Sequence, residues 1–115
     1  MEILRYEQQA MQAALQVRSA RAELLAGNVA NADTPGYVSR DLDFDSALEQ
    51  TLSNEDTSQA STNETIAREN VRLDHNDTDL GSELAESYEN AVDYAATLKL
   101  YGDSVGRLTT ASSGS

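Results

Sequence analysis

Between two long amphipathic stretches, the segment from Asn28 to Phe44, NVANADTPGYVSRDLDF, forces the chain to end a helix, reverse direction and restart in extended form. Asn31 tolerates the left-handed or bridge conformation of a helix end, and Thr34 is pushed toward extended geometry by the proline that follows. Pro35 fixes φ and Gly36 accepts positive φ, so the pair fits the two central positions of a type II turn. A helix arriving from the N-terminal side must stop here, and Tyr37 to Leu42 should continue as an extended segment.

The stretch from Ile3 to about Ala30 repeats its apolar residues in alternating steps of three and four, as heptads do, along two neighbouring stripes. One stripe is Ile3, Tyr6, Ala10, Ala13, Val17, Ala20 and Leu24. The other is Leu4, Met11, Leu15, Ala22, Leu25 and Val29, interrupted by Gln8 and Arg18. A helix that long spans about 40 Å, more than the few apolar residues elsewhere can cover, so it needs neighbours on two sides. A second helix is expected from Asp79, a plausible N-cap, to about Leu108, with Glu83 adding negative charge to its first turn. Its apolar face reads Leu80, Leu84, Tyr88, Ala91, Ala95, Leu98, Val105 and Leu108, flanked by Tyr94 and Tyr101. Gly102 and Gly106 weaken its last turns. Thr109 to Ser115 reads as a flexible polar tail.

Between the two helices the signals are shorter. Ser46-Ala47-Leu48-Glu49 has the form of a capping box opening a short helix to about Leu52, with Phe44, Leu48 and Leu52 on one face. Ser53 to Asn70 is almost wholly polar and reads as an exposed acidic loop. Val71-Arg72-Leu73 can pair as a short strand with the extended region near Tyr37. The fold class is therefore mainly α: long N- and C-terminal helices (1–31 and 80–108) paired lengthwise as in a coiled coil. A turn, an extended segment and an acidic loop (32–79) join them, and a tail (109–115) follows.

Leu, Ile, Val and Phe together number 22 of 115 residues, and the formal net charge is -12, so the core is thin and ordering is expected to depend on assembly. The acid is concentrated between residues 41 and 79, and reads as a solvated surface or as a docking patch for a basic partner. No basic patch for nucleic acid or anionic lipid exists, and no apolar run is long enough to span a membrane. The N-terminus lacks the basic and apolar regions of a cleaved secretory signal. There is no cysteine, which removes disulfides, thiolate metal sites and a thiol nucleophile. Asp74, His75, Asn76, Asp77 and Asp79 resemble a calcium loop in composition only: counted from Asp74, the sixth position is Asp79 rather than glycine and the twelfth is Ala85 rather than glutamate. His75 is the only histidine and no cysteine or serine elbow accompanies it, so a nucleophile, base and orienting group have little material, and neither enzyme activity nor a metal or cofactor is expected.

Taken together, the motif residues Asn28, Asn31, Thr34, Pro35, Gly36 and Tyr37 resemble the N-terminal signature of bacterial flagellar rod and hook proteins. The continuation Arg40, Asp41, Leu42, Asp43 and Phe44 narrows the resemblance to the proximal rod branch of the basal body. Asn76 to Leu80, Glu83, Asn90 and Tyr94 are similar in type and spacing to the terminal helix of that branch, whereas the polar stretch from Ser53 to Asn70 departs from it. The resemblance implies a structural subunit of the flagellar basal-body rod that packs against other copies of itself and other rod proteins. It also implies contact with the adapter joining rod to membrane ring, and export unfolded through the flagellar type III export apparatus into a periplasmic rod. Packing between helices then falls to Leu4, Met11, Leu15, Val17, Leu25, Leu84, Tyr88, Ala91, Tyr94, Ala95 and Leu98. The competing class is a small acidic helical adaptor or export chaperone that holds a partner helix in an apolar groove.

Overall fold

The computed structural model describes residues 2–56, 63–73 and 79–113, leaving out some side chains near the ends of these segments, Leu4 among them. Helix α1 spans Glu2–Ala30, strand β1 Arg40–Leu42, helix α2 Phe44–Asp56, helix α3 Asn63–Asn70, strand β2 Val71–Leu73 and helix α4 Leu80–Ser113. The two long helices lie antiparallel: Asn28 of α1 meets Glu83 of α4, Arg18 meets Asp93, and Gln12 meets Tyr101. The molecule is elongated, 62 × 28 × 16 Å, because a short helical cap is built against only part of this pair.

That cap holds the apolar core. Val17 and Ala20 of α1, Leu42 of β1, Ala47 of α2 and Ile66 of α3 are buried together, with Leu24, Phe44 and Leu48 packed against them. Each fully buried aliphatic side chain of this size contributes about 1.5 to 3 kcal/mol, so the cluster anchors the cap to α1 but is small for a chain of this length. Strands β1 and β2 pair antiparallel in the register Arg40↔Leu73, Asp41↔Arg72 and Leu42↔Val71. Val71 to Leu73 thus pairs with the end of the expected extended region, over Arg40 to Leu42.

Three sequence expectations change. The acidic loop contains a helix: α3 occupies Asn63–Asn70, since Ile66 and Asn70 stand one turn apart and both are buried on the core face. A single isoleucine in a polar stretch leaves no periodic signal. Helix α2 begins at Phe44 and reaches Asp56, capped by Asp43 instead of Ser46: the Ala47 N–H donates to the Asp43 carbonyl (2.9 Å) and the Ser46 N–H to Asp43 Oδ1 (3.3 Å). The Ser46 hydroxyl instead donates to Asn70 Oδ1 (2.9 Å), tying α2 to the end of α3. Finally, α4 runs through Gly102 and Gly106 to Ser113, so the start of the expected tail is helical. At its other end Asp79 caps α4: Glu83 N–H donates to the Asp79 carbonyl (2.9 Å) and Gly81 N–H to Oδ1 (3.2 Å). Asp74 to Asp77 of the calcium-like cluster, and 57–62 of the expected loop, lie outside the described residues.

Candidate functional site

The turn and the end of α1 form a hydrogen-bonded hub. Thr34 to Tyr37 make a β-turn closed by the Tyr37 N–H donating to the Thr34 carbonyl (3.2 Å), with Gly36 at φ 77°. That φ at the third turn position is the type II geometry and excludes a β-branched residue on strain grounds. Asn31 closes α1 from both sides: its backbone N–H and its Nδ2 donate to the Gly27 carbonyl (3.1 and 2.8 Å), and its Oδ1 accepts from the Thr34 hydroxyl (3.2 Å).

Asn28 is 1 % exposed, and it uses both ends of its amide. Nδ2 donates to the Arg40 carbonyl (2.7 Å) and to Glu83 Oε2 (3.1 Å), while Oδ1 accepts from the Arg40 N–H (3.0 Å) and the Tyr37 hydroxyl (2.9 Å). One buried side chain therefore joins α1, the turn, β1 and the first turn of α4. A buried amide is tolerable only when satisfied in this way.

A second polar cluster lies about two to three turns back along α1. Arg21 grips Asp41 with two bonds, Nε to Oδ1 (2.9 Å) and NH2 to Oδ2 (3.3 Å), and Asp41 Oδ1 also accepts from the Leu42 N–H (2.7 Å). The hydrogen bond from Arg21 to Asp41 raises the pKa of the guanidinium above its ordinary value despite partial burial. Arg18 stacks over the Phe44 ring at 4.6 Å from its centroid and pairs with Asp93 of α4 at 3.3 Å. A shallow cavity of about 300 Å³ opens here, its charged wall formed by Arg18, Arg21, Asp41, Asp43, Asp45 and Arg72. Arginines balance aspartates in this wall, and Asp41 and Asp43 are committed to Arg21 and to the start of α2. The chemistry on offer is positional: the cluster fixes β1 and the cap on α1. Among the described residues, no three His, Cys, Asp or Glu side chains converge to hold a metal ion.

The helix-packing residues divide. Val17 and Leu25 are fully buried, with Met11 and Leu15 half-buried along α1. On α4, by contrast, Leu84 (50 % exposed), Tyr88 (73 %), Leu98 (49 %) and Ala95 are exposed, while Ala91 and Tyr94 line the edge of a groove beside α1. The α4 residues buried within the single subunit are Glu83, Asn90 and Ser104. They lie on a stripe one residue along from the apolar one, rotated from it by about 100°. The polar stripe Glu83, Ser87, Asn90, Tyr94, Thr97, Tyr101 and Ser104 repeats in steps of four and three as regularly as the apolar one. That spacing was visible, but apolar content suggested the other face. Arg18, Arg21 and Asn70 are further residues that sequence reasoning missed; the partners of both arginines, Asp93 and Asp41, are distant in sequence.

No family model matches the chain. Among curated proteins, it is 34 % identical over 118 residues, covering 90 % of this chain and 89 % of the other, to the flagellar basal body rod protein FlgB of Aeromonas hydrophila. Identity rises over shorter segments. It is 51 % over 49 residues, 43 % of this chain and 33 % of the relative, with the FlgB rod proteins of Salmonella typhimurium and Escherichia coli. With the FlgB of Proteus mirabilis it is 54 % over 43 residues, 37 % of this chain and 31 % of the relative. The match to the Aeromonas protein runs over nearly the whole of both chains, and the chain belongs to the FlgB family of flagellar basal body rod proteins.

Proposed function

We propose that this chain acts as a structural subunit of the flagellar basal-body rod whose α4 helix supplies a lateral contact surface to neighbouring copies. The observation that carries the reading is the unpartnered apolar stripe of α4, in which Leu80, Leu84, Tyr88, Leu98 and Val105 are all exposed. A monomeric protein rarely leaves so long an apolar line in water, whereas a subunit that stacks head to tail without closing on itself needs one. Function is mechanical: stacked helix pairs form a tube that carries torque and leaves a path for exported proteins. The turn hub and the Arg21–Asp41 clamp hold the cap on α1, so that both helices meet their neighbours in a fixed orientation.

The finer parts of the reading are partners and route. Other rod proteins and the adapter between rod and membrane ring would meet the ends of the helix pair, and the flagellar type III export apparatus would deliver the chain to a periplasmic rod. No helix among the described residues is long and apolar enough to cross a membrane. The adaptor reading draws no support from the relatives found. Expression in a strain lacking its own proximal rod subunit tests the proposal. Restored swimming, with the chain present in purified basal bodies, is the expected result; a chain that is exported but absent from basal bodies would defeat it.

A further inference from the structure

Helix α4 carries two stripes of heptad spacing one residue apart, and it turns the more polar one toward α1. Apolar burial alone favours the opposite choice, because Leu84, Tyr88, Ala91, Ala95 and Leu98 would then enter the seam. What holds the polar stripe inward is a ladder of bonds along the helix pair. Asn28 Nδ2 donates to Glu83 Oε2 (3.1 Å), Asn90 Nδ2 to the Arg18 carbonyl (3.0 Å), Arg18 NH1 to Asp93 Oδ2 (3.3 Å), and Gln12 Nε2 to the Tyr101 hydroxyl (2.7 Å). Asn90 is the central rung, 2 % exposed, and it bonds to backbone, which no α1 side-chain rotation can remove.

The ladder carries a cost. Asn90 Oδ1, Ser104 Oγ, Gln8 Nε2 and Arg18 Nε are buried with no hydrogen-bond partner among the described residues. Buried polar groups at heptad positions lower stability and, in return, specify register and facing. We infer that Asn90 is a specificity-determining residue, a phase key that sets the rotation of α4 about its own axis and keeps the apolar stripe outward. This rests on the rod-subunit reading for its purpose, since an outward stripe is of use only to a chain that docks with others. The phase itself is a property of the single subunit.

The chain has no cysteine, so an introduced pair reports the phase without interference. Ala22 and Ser87 line one groove between the helices, together with Asn90 and Ala91. Oxidation of a chain carrying Ala22→Cys and Ser87→Cys should therefore form an internal disulfide, while Ala22→Cys with Tyr88→Cys should not. Moving the asparagine by one residue, Asn90→Ala with Ala91→Asn, preserves composition and transfers the key to the apolar stripe. The ratio of the 22–88 to the 22–87 disulfide should rise by roughly tenfold or more, the factor that corresponds to losing one buried hydrogen bond and gaining its equivalent. Asn90→Ala alone should give a mixture of both. Both measurements are made on the dilute chain and on basal bodies purified from the same strains. An unchanged 22–87 disulfide in the swapped chain overturns the inference, because packing would then set the phase. Loss of both disulfides also overturns it, since Asn90 would be needed for pairing itself. As a second measurement, Ser104→Ala removes a partnerless hydroxyl and should raise Tm by about 4 °C; a lowered Tm would show that the seam's polar groups are paired. A chain that switches disulfides but never enters a rod would leave the phase key intact and remove the rod reading.

Discussion

Asn28 illustrates how a motif residue acquires its identity from hydrogen bonding. Its amide presents a donor and an acceptor to the same backbone residue, Arg40, as a strand neighbour would, and its remaining capacity goes to Tyr37 and Glu83. No other residue of that size offers both groups, so Asn28→Leu should leave the Arg40 backbone and the Glu83 carboxylate without that partner. The expected loss is about 3 kcal/mol or more, read from denaturant unfolding, on the basis of 1 to 3 kcal/mol for each buried group left unsatisfied. Gly36 makes a different demand. At φ 77° a valine is strained by more than about 1 kcal/mol, so Gly36→Val should block assembly while secretion of the chain continues. Swimming by that mutant at wild-type speed would show that the turn is dispensable. Arg21 has its pKa raised by Asp41, so its contribution is complete at every pH below the ordinary guanidinium value and disappears only as pH climbs through the raised one. Unfolding free energies of wild type and Arg21→Met should therefore differ by the same amount at pH 6 and pH 9; a difference that varied between them would place the linkage elsewhere.

At the scale of elements, α3 shows how little sequence is needed to order a short helix when tertiary contacts are supplied. Ile66 is fully buried against Val17, Ala20, Leu42 and Ala47, and Asn70 bonds with Ser46, Gln50 and the Ile66 carbonyl. The Asp43 N–H also donates to the Asn70 carbonyl (2.9 Å), so the end of α3 and the start of α2 secure each other. Ile66→Ala should cost about 2 to 5 kcal/mol, the range for emptying a fully buried aliphatic site, and should release α3 and β2 together. Hydrogen exchange checks this: amides of α3 and β2 should lose protection while those in the middle of α1 keep theirs. Equal loss along the whole chain would mean that the cap and the helix pair fold as one unit. The start of α3 is also tied to α1, since Asn63 Nδ2 donates to the Ser19 hydroxyl (2.9 Å).

Across the whole molecule, the two long helices differ in what they ask of a partner. The half-buried Leu15 lies on α1, within the subunit's own packing, whereas Leu98 on α4 leaves 49 % of its surface exposed. Leu98→Asp should thus leave the stability of the isolated chain within about 0.5 kcal/mol of wild type, as surface changes do, yet abolish swimming. Leu15→Asp should impair both, since it places a carboxylate against the seam. If Leu98→Asp strains swim normally, the outward stripe is not the contact surface.

The sequence by itself determined the helical class, the place where α1 stops, the Pro35-Gly36 turn, the Asp79 cap and the likeness to rod proteins, because these depend on backbone preferences and on motifs a few residues long. It also displayed both heptad stripes of α4. Only the tertiary structure decided between them, since the choice depends on which α1 atoms face Glu83, Asn90 and Tyr101. Helix α3 was likewise invisible, because one isoleucine and one asparagine in a polar run acquire meaning only when Val17, Leu42 and Ser46 are brought to meet them. Local propensity is written within a turn or two of chain, while the facing of a helix is set by groups far apart in sequence that share no pattern until the chain has folded.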